Sequence, residues 1–177
     1  MASDIKIKYG TTATAITITF TSMASSQTVG RQSTEIDNTT NLFLDALVSV
    51  KTTWPTAGTI GSDKTVYVYA WGITDSSTPI RPGEIISATT NSTIGASDAA
   101  YTINAAGTPL TLIGSIPIPT LNTSANGIVV SNPMSVAAAF GGSLPAFWGI
   151  VIINFSGVTL HSAGCSAWYQ GVLAQTV

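Results

Sequence analysis

Reactive side chains are scarce in this chain, and each scarcity removes a class of function. A single cysteine and a single histidine occur in 177 residues. Cys165 therefore has no intrachain disulfide partner. With His161 it makes only an H-x-x-x-C pair, short of the ligand set that a zinc site needs. Charged residues are 8% of the chain, against about 25% in an ordinary domain. The bases Lys6, Lys8, Arg31, Lys51, Lys64 and Arg81 are scattered, and none follows Arg81. No phosphate-tracking stripe can be built from them, so nucleic acid is not an expected partner. The longest near-apolar run, residues 144–155, is too short for a membrane-spanning helix, and no membrane association is expected. Residues 1–8 lack the apolar centre of a signal peptide, so the expectation is a soluble chain made in a cytoplasm. A phosphate-cradling loop is missing too, because Gly141-Gly142 has no lysine after it. No cofactor and no metal are expected.

What remains is apolar and β-branched. A hydrophobic share of 45% with a net charge of −2 argues against disorder, and 177 residues suit one domain with its own core. The densest stretch is residues 143–173, SLPAFWGIVIINFSGVTLHSAGCSAWYQGVL. In it Phe147, Val151, Ile153 and Phe155 fall on one side of a pleat, with Trp148, Ile150 and Ile152 on the other. A strand apolar on both sides is buried on both, or covered on one by another subunit. Turns at residues 154–157 and at Ala163-Gly164 divide the stretch into three consecutive antiparallel strands.

Earlier segments read similarly. Residues 12–21 set Ile16, Ile18 and Phe20 against Thr17, Thr19 and Thr21, the alternation of a half-exposed strand. Residues 22–41 are polar and read as an extended connection, with residues 27–41 as a contact arm. Residues 42–51 fit a helix through Leu44, Leu47 and Val48, or a strand through Leu44, Ala46, Val48 and Val50; the β context selects the strand. Residues 65–73 place Val66, Val68 and Ala70 opposite Tyr67, Tyr69 and Trp71. Short strands are expected at 84–90, 128–130 and 134–140. Residues 110–119 suit an edge strand with a bulge at Gly114. The expected fold is all-β: a single β-sandwich over residues 1–177, jelly-roll-like, with about eight to ten antiparallel strands and little or no helix. Its core is expected to hold Ile16, Ile18, Phe20, Val66, Val68, Val151, Ile153 and Phe155.

Chemistry is hard to assemble from these residues. His161 and Cys165 sit beside one tight turn without a nearby carboxylate to orient the imidazole, so a buried thiol and a turn histidine describe them better than a catalytic pair. Glu35 and Asp37 fall on one face of an extended segment, with Asp45 adding oxygen density. A solvated turn explains them more simply than calcium or a glycosidase pair. The chain is therefore expected not to be an enzyme. The aromatics offer more. Trp54, Tyr67, Tyr69, Trp71, Trp148, Trp168 and Tyr169 include material for sugar-stacking platforms, with Trp54 beside Pro55 the leading candidate. Core packing explains Trp71, Trp148 and Trp168 equally well.

A cysteine-poor, Thr/Ser/Ala/Gly-rich chain with the pattern PAFWGIVIINFSGVTL at residues 145–160 resembles the small β-sandwich structural proteins of tailed-phage virions. Among these it is most like a capsid decoration or cement protein. The resemblance implies a jelly-roll subunit made in the host cytoplasm and found in the virion. It would assemble with itself, a trimer being one option, and bind a major capsid protein on the outside of an icosahedral shell. Arg31, Glu35, Asp37, Trp54, Trp148 and Trp168 are then the candidate partner contacts. A phage tail or fibre β-domain (a tube or receptor-binding subunit) and a carbohydrate-binding jelly-roll module are the alternatives, and only the sugar-binding readings would bring a glycan partner.

Overall fold

Alternation of β-branched and aromatic residues sets the strands. A computed structural model describes residues 4–60, 63–74, 94–103, 110–121 and 126–176. Twelve strands lie among them: β1 (Ile5–Tyr9), β2 (Thr14–Ile16), β3 (Val29–Gln32), β4 (Ile36–Asp37), β5 (Asp45–Trp54), β6 (Thr65–Ile73), β7 (Ala99–Thr102), β8 (Thr111–Pro117), β9 (Gly127–Val130), β10 (Met134–Ser135), β11 (Phe147–Phe155) and β12 (Ser166–Thr176). The helical element among the described residues is one 3-10 turn, Ala137–Phe140.

The strands form two six-stranded antiparallel sheets. In the first, β12 and β5 lie side by side; β1 and β2 share the outer side of β12, and β9 and β10 share the outer side of β5. In the second the order is β7-β3-β11-β6-β8, with β4 also on β11. Counting each collinear pair as one interrupted strand and leaving β7 aside, the strand order within the two four-stranded halves is that of a jelly roll. The interruptions and the extra β7 explain why more segments form than the eight to ten expected. One interruption has a visible cause. Between β3 and β4 the Ser33 hydroxyl accepts the Ile150 N–H, so the side chain continues the ladder where the backbone bulges.

The main core fills the space between the sheets. Ile16, Phe20, Val66 and Val68 are buried there with Val48, Val50, Trp148, Ile150 and Ile152. Val151 and Ile153 are buried as well, in a second cluster with Trp71, Ile94, Tyr101 and Leu110. That cluster lies on the far face of β11 and β6, covered by residues of the connection between β6 and β8. The doubly apolar β11 is thus covered on both sides by its own chain. Gly149 makes this possible: a Cβ there would lie 2.6 Å from the Trp71 indole, its cross-strand partner. Ile18 and Phe155, also expected in the core, are only half-buried at its margin.

Several expected boundaries move. The strand expected over 12–21 shrinks to β2, because the backbone beyond it crosses between sheets; the Thr17 carbonyl accepts from the Thr34 N–H. The connection at 22–41 contains β3 and β4, recruited by the free side of β11. Residues 134–140 begin as β10 and then coil, since Asp45 accepts hydrogen bonds from Ser135 Oγ and the Ala137 N–H. The three closing strands become two in different sheets. Val158 and Leu160 are buried but irregular, because Asn154 draws their segment inward. Residues 42–51 do enter a strand, and 65–73 match β6. Strand β8 is an edge strand whose register shifts next to Gly114, where Met134 of the opposite sheet packs. The strand expected at 84–90 lies outside the described residues.

Candidate functional site

The two outer faces of the sandwich differ in how they are covered. On the second sheet Val151, Ile153 and Trp71 are capped by Ile94, Tyr101 and Leu110. Polar contacts pin this cover down. Arg31 Nε donates to Asp98 Oδ1 at 2.7 Å, and the Gln32 amide donates to the carbonyls of Gly95 and Ser97. Burial raises the Asp98 pKa, but hydrogen bonds from Arg31 and Thr19 outweigh it, so the carboxyl titrates below the usual range.

The outer face of the first sheet has no such cover among the described residues. Ile5, Ile7 and Tyr9 pair with Thr176, Ala174 and Val172, which share a face with Trp168 on alternating β12. Trp168 pairs with Ser49; further along β5, Lys51 and Thr53 bring Val130 and Ile128 to the same face. Ile5, Ile7, Tyr9, Ile128 and Val130 are each more than half exposed. Lys6, Lys8, Lys51 and Asp45 are the charged residues of this sheet's strands. Asp45 is occupied by Ser135 and by the Ala46 and Ala137 N–H groups. Lys51 lies on the bare face, and Lys6 and Lys8 alternate with its isoleucines along the edge strand β1. The face carries exposed apolar side chains at its two edges, with Ser49, Lys51 and Gln170 between them.

On the second sheet a shallow hollow of about 470 Å³ is lined by Gln27, Asp63, Tyr67, Tyr69, Ile153 and Phe155. Tyr67 Oη donates to Asp63 Oδ2 at 2.6 Å. This hydrogen bond, followed by burial and the Asp63 charge, raises the Tyr67 pKa; burial chiefly raises that of Tyr69.

The contact residues expected from sequence divide. Trp54 and Trp148 are not contacts: they are 0% and 1% exposed, in the main core. Trp54 is the last residue of β5, not a loop residue, and its indole N–H donates to Thr52 Oγ1, which lets the ring be buried. This removes it as a sugar platform. Trp168 is half-buried on the bare face. Arg31 is engaged by Asp98. Glu35 donates its backbone N–H to the Ala96 carbonyl, and exposed Asp37 accepts from the Thr39 hydroxyl and then its N–H, which lower its pKa.

Among the described residues no group of three His, Cys, Asp or Glu side chains could hold a metal. His161 faces Asn126 and the Ala163 backbone, while Cys165 Sγ accepts from the Thr53 N–H. The two take different partners. Sequence reasoning reached Tyr67 and Tyr69 but missed Asp63 and Gln27; an acid four residues before the first tyrosine of a Tyr-x-Tyr strand was the available signal. Comparison with protein-family models, curated proteins and solved structures gives no match.

Proposed function

We propose that this chain is a non-enzymatic virion structural protein, a decoration or cement subunit that binds the outside of an icosahedral capsid and stabilises it. A jelly roll hosts many functions, so the fold supports this reading only by analogy. The observation that carries it is the bare face of the first sheet. The chain covers one outer face with residues between β6 and β8 and leaves the other with five large apolar side chains in solvent. These side chains form two groups at opposite edges of the face, on β1 and on β9, and exposed apolar groups rimmed by polar residues mark a protein contact.

The partner this face suits is an apolar, acidic shell surface, since Lys51 lies on it and Lys6 and Lys8 outnumber Asp4 along its β1 edge. The mechanism is avidity. Each subunit contact is modest, but an oligomer that engages several shell subunits raises the effective concentration of every later contact. The shell then resists opening because many weak contacts must break together.

Sedimentation of the source particles after tail detachment tests the reading, with this chain followed by mass spectrometry. Co-sedimentation with emptied shells in fixed stoichiometry to the shell protein is expected. Departure with the tails would assign a tube or fibre subunit, and absence from all particles would refute a virion role.

A further inference from the structure

We infer that the hollow on the second sheet is a binding site for a neutral saccharide. The inference does not depend on the virion reading. Tyr67 and Tyr69 are two apart on β6, so both rings stand on its outer face. Their centroids are 6.3 Å apart with planes tilted by 51°, so the rings splay rather than stack on each other. Half-buried Phe155 supplies an apolar floor, and Ile153, directly across from Tyr67 on β11, borders it from within the buried cluster.

Polar groups stand at the sides of this floor. Asp63 accepts the Tyr67 hydroxyl through Oδ2 and keeps further acceptor sites, because a carboxylate offers about four. Among the described residues it is in no ion pair. Gln27 is exposed and brings an amide that can both donate and accept. A pyranose has the matching anatomy, with a C–H face for an aromatic ring and vicinal hydroxyls for a carboxylate and an amide. The Asp63 charge disfavours an anionic sugar. A quaternary ammonium would want ring faces closing around it, whereas the Tyr67 and Tyr69 planes are tilted by 51° and splay, with Gln27 and Asp63 beside them. The volume of about 470 Å³ falls in the range of small-molecule sites. The hollow lies on the opposite sheet from the bare apolar face, so both surfaces can be occupied together.

Saturation-transfer NMR on the full chain tests this, with glucose, galactose, N-acetylglucosamine and their oligomers as probes and choline as the cationic competitor. At least one saccharide should receive saturation. Calorimetry of that sugar should show binding weakened by about tenfold or more in Asp63→Asn, the loss expected for a hydrogen bond to a charged group. Gln27→Ala should weaken it too. Both variants should melt with the parent, because the amide oxygen introduced by Asp63→Asn can still accept the Tyr67 hydroxyl. No saturation of any saccharide, equal binding by Asp63→Asn and Gln27→Ala, or binding of choline in place of sugar would each overturn the assignment.

Discussion

The Trp148 indole on β11 meets the Tyr169 ring on β12 edge to face, with centroids 5.1 Å apart and planes at 83°. The contact crosses from one sheet to the other, and Phe43 extends it by a second edge contact with Tyr169. Edge-to-face pairs add to the burial of both rings. Trp148→Ala should therefore destabilise the fold by about 3–5 kcal/mol in urea unfolding, with a smaller loss for Trp148→Phe. A loss below about 1 kcal/mol would return Trp148 to the surface role that its sequence context suggested.

Asn154 is fully buried, and its amide donates to the carbonyls of Met23 and Val158 while its oxygen accepts from Ser156. Asn154→Asp keeps the shape but replaces two donated hydrogen bonds with carboxylate–carbonyl repulsion. The cost at pH 7 should be about 3 kcal/mol or more, as for an unpaired buried charge. Relative to the parent it should shrink at acid pH, where a protonated carboxyl regains a donor. An equal deficit at both pH values would locate the loss elsewhere.

Acid should loosen the cover over the second sheet. Asp98 has a folded pKa below its ordinary value of 3.8. A depressed carboxyl pKa contributes stability above the unfolded value and loses it as pH falls through the folded one. Amides of β3 and β7 should accordingly lose protection, relative to the intrinsic exchange rate at each pH, below about pH 4. Asp98→Asn should abolish this dependence at a cost of about 1 kcal/mol, because the pair is partly solvated. Unchanged protection of these amides between neutral and acid pH would mean that the ion pair does not hold the cover.

Cys165 should behave as an inert thiol. Burial pushes its pKa above 9.0, and the Thr53 N–H and Lys51 offset this only in part. Alkylation at neutral pH should be much slower than that of a free thiol, rising to the free rate in denaturant. Rapid labelling of the folded chain would contradict the burial.

Ile5 and Ile7 are 74% and 61% exposed, so they contribute little to the folded monomer. The double substitution Ile5→Ser, Ile7→Ser should leave the melting temperature within a few degrees of the parent. It should weaken shell binding or self-assembly measured by sedimentation. A variant that melts early yet assembles normally would make β1 a structural strand and remove the proposed interface.

Local pattern was enough for much of the fold. The apolar alternation of residues 65–73 specified β6, the run at 147–155 specified β11, and Gly114 with its flanking prolines marked β8 as a bulged edge. These features need only neighbouring residues to be legible. The hollow was legible in part, since Tyr67 and Tyr69 share a face by spacing alone. Gln27 and Asp63 join them only because β11 brings the starts of β3 and β6 to one end of the sheet.

Sequence by itself thus determined the class of fold, the shared face of Tyr67 and Tyr69 and the doubly apolar character of β11. Tertiary structure alone decided that Trp54 and Trp148 lie inside, that Val151 and Ile153 are covered by their own chain, and that Ile5, Ile7 and Ile128 are not. The physical reason is that burial is a relation between distant segments. Ile153 is covered because Ile94, Tyr101 and Leu110 lie over the second sheet, whereas no described segment lies over β1, and both isoleucines read alike in a strand.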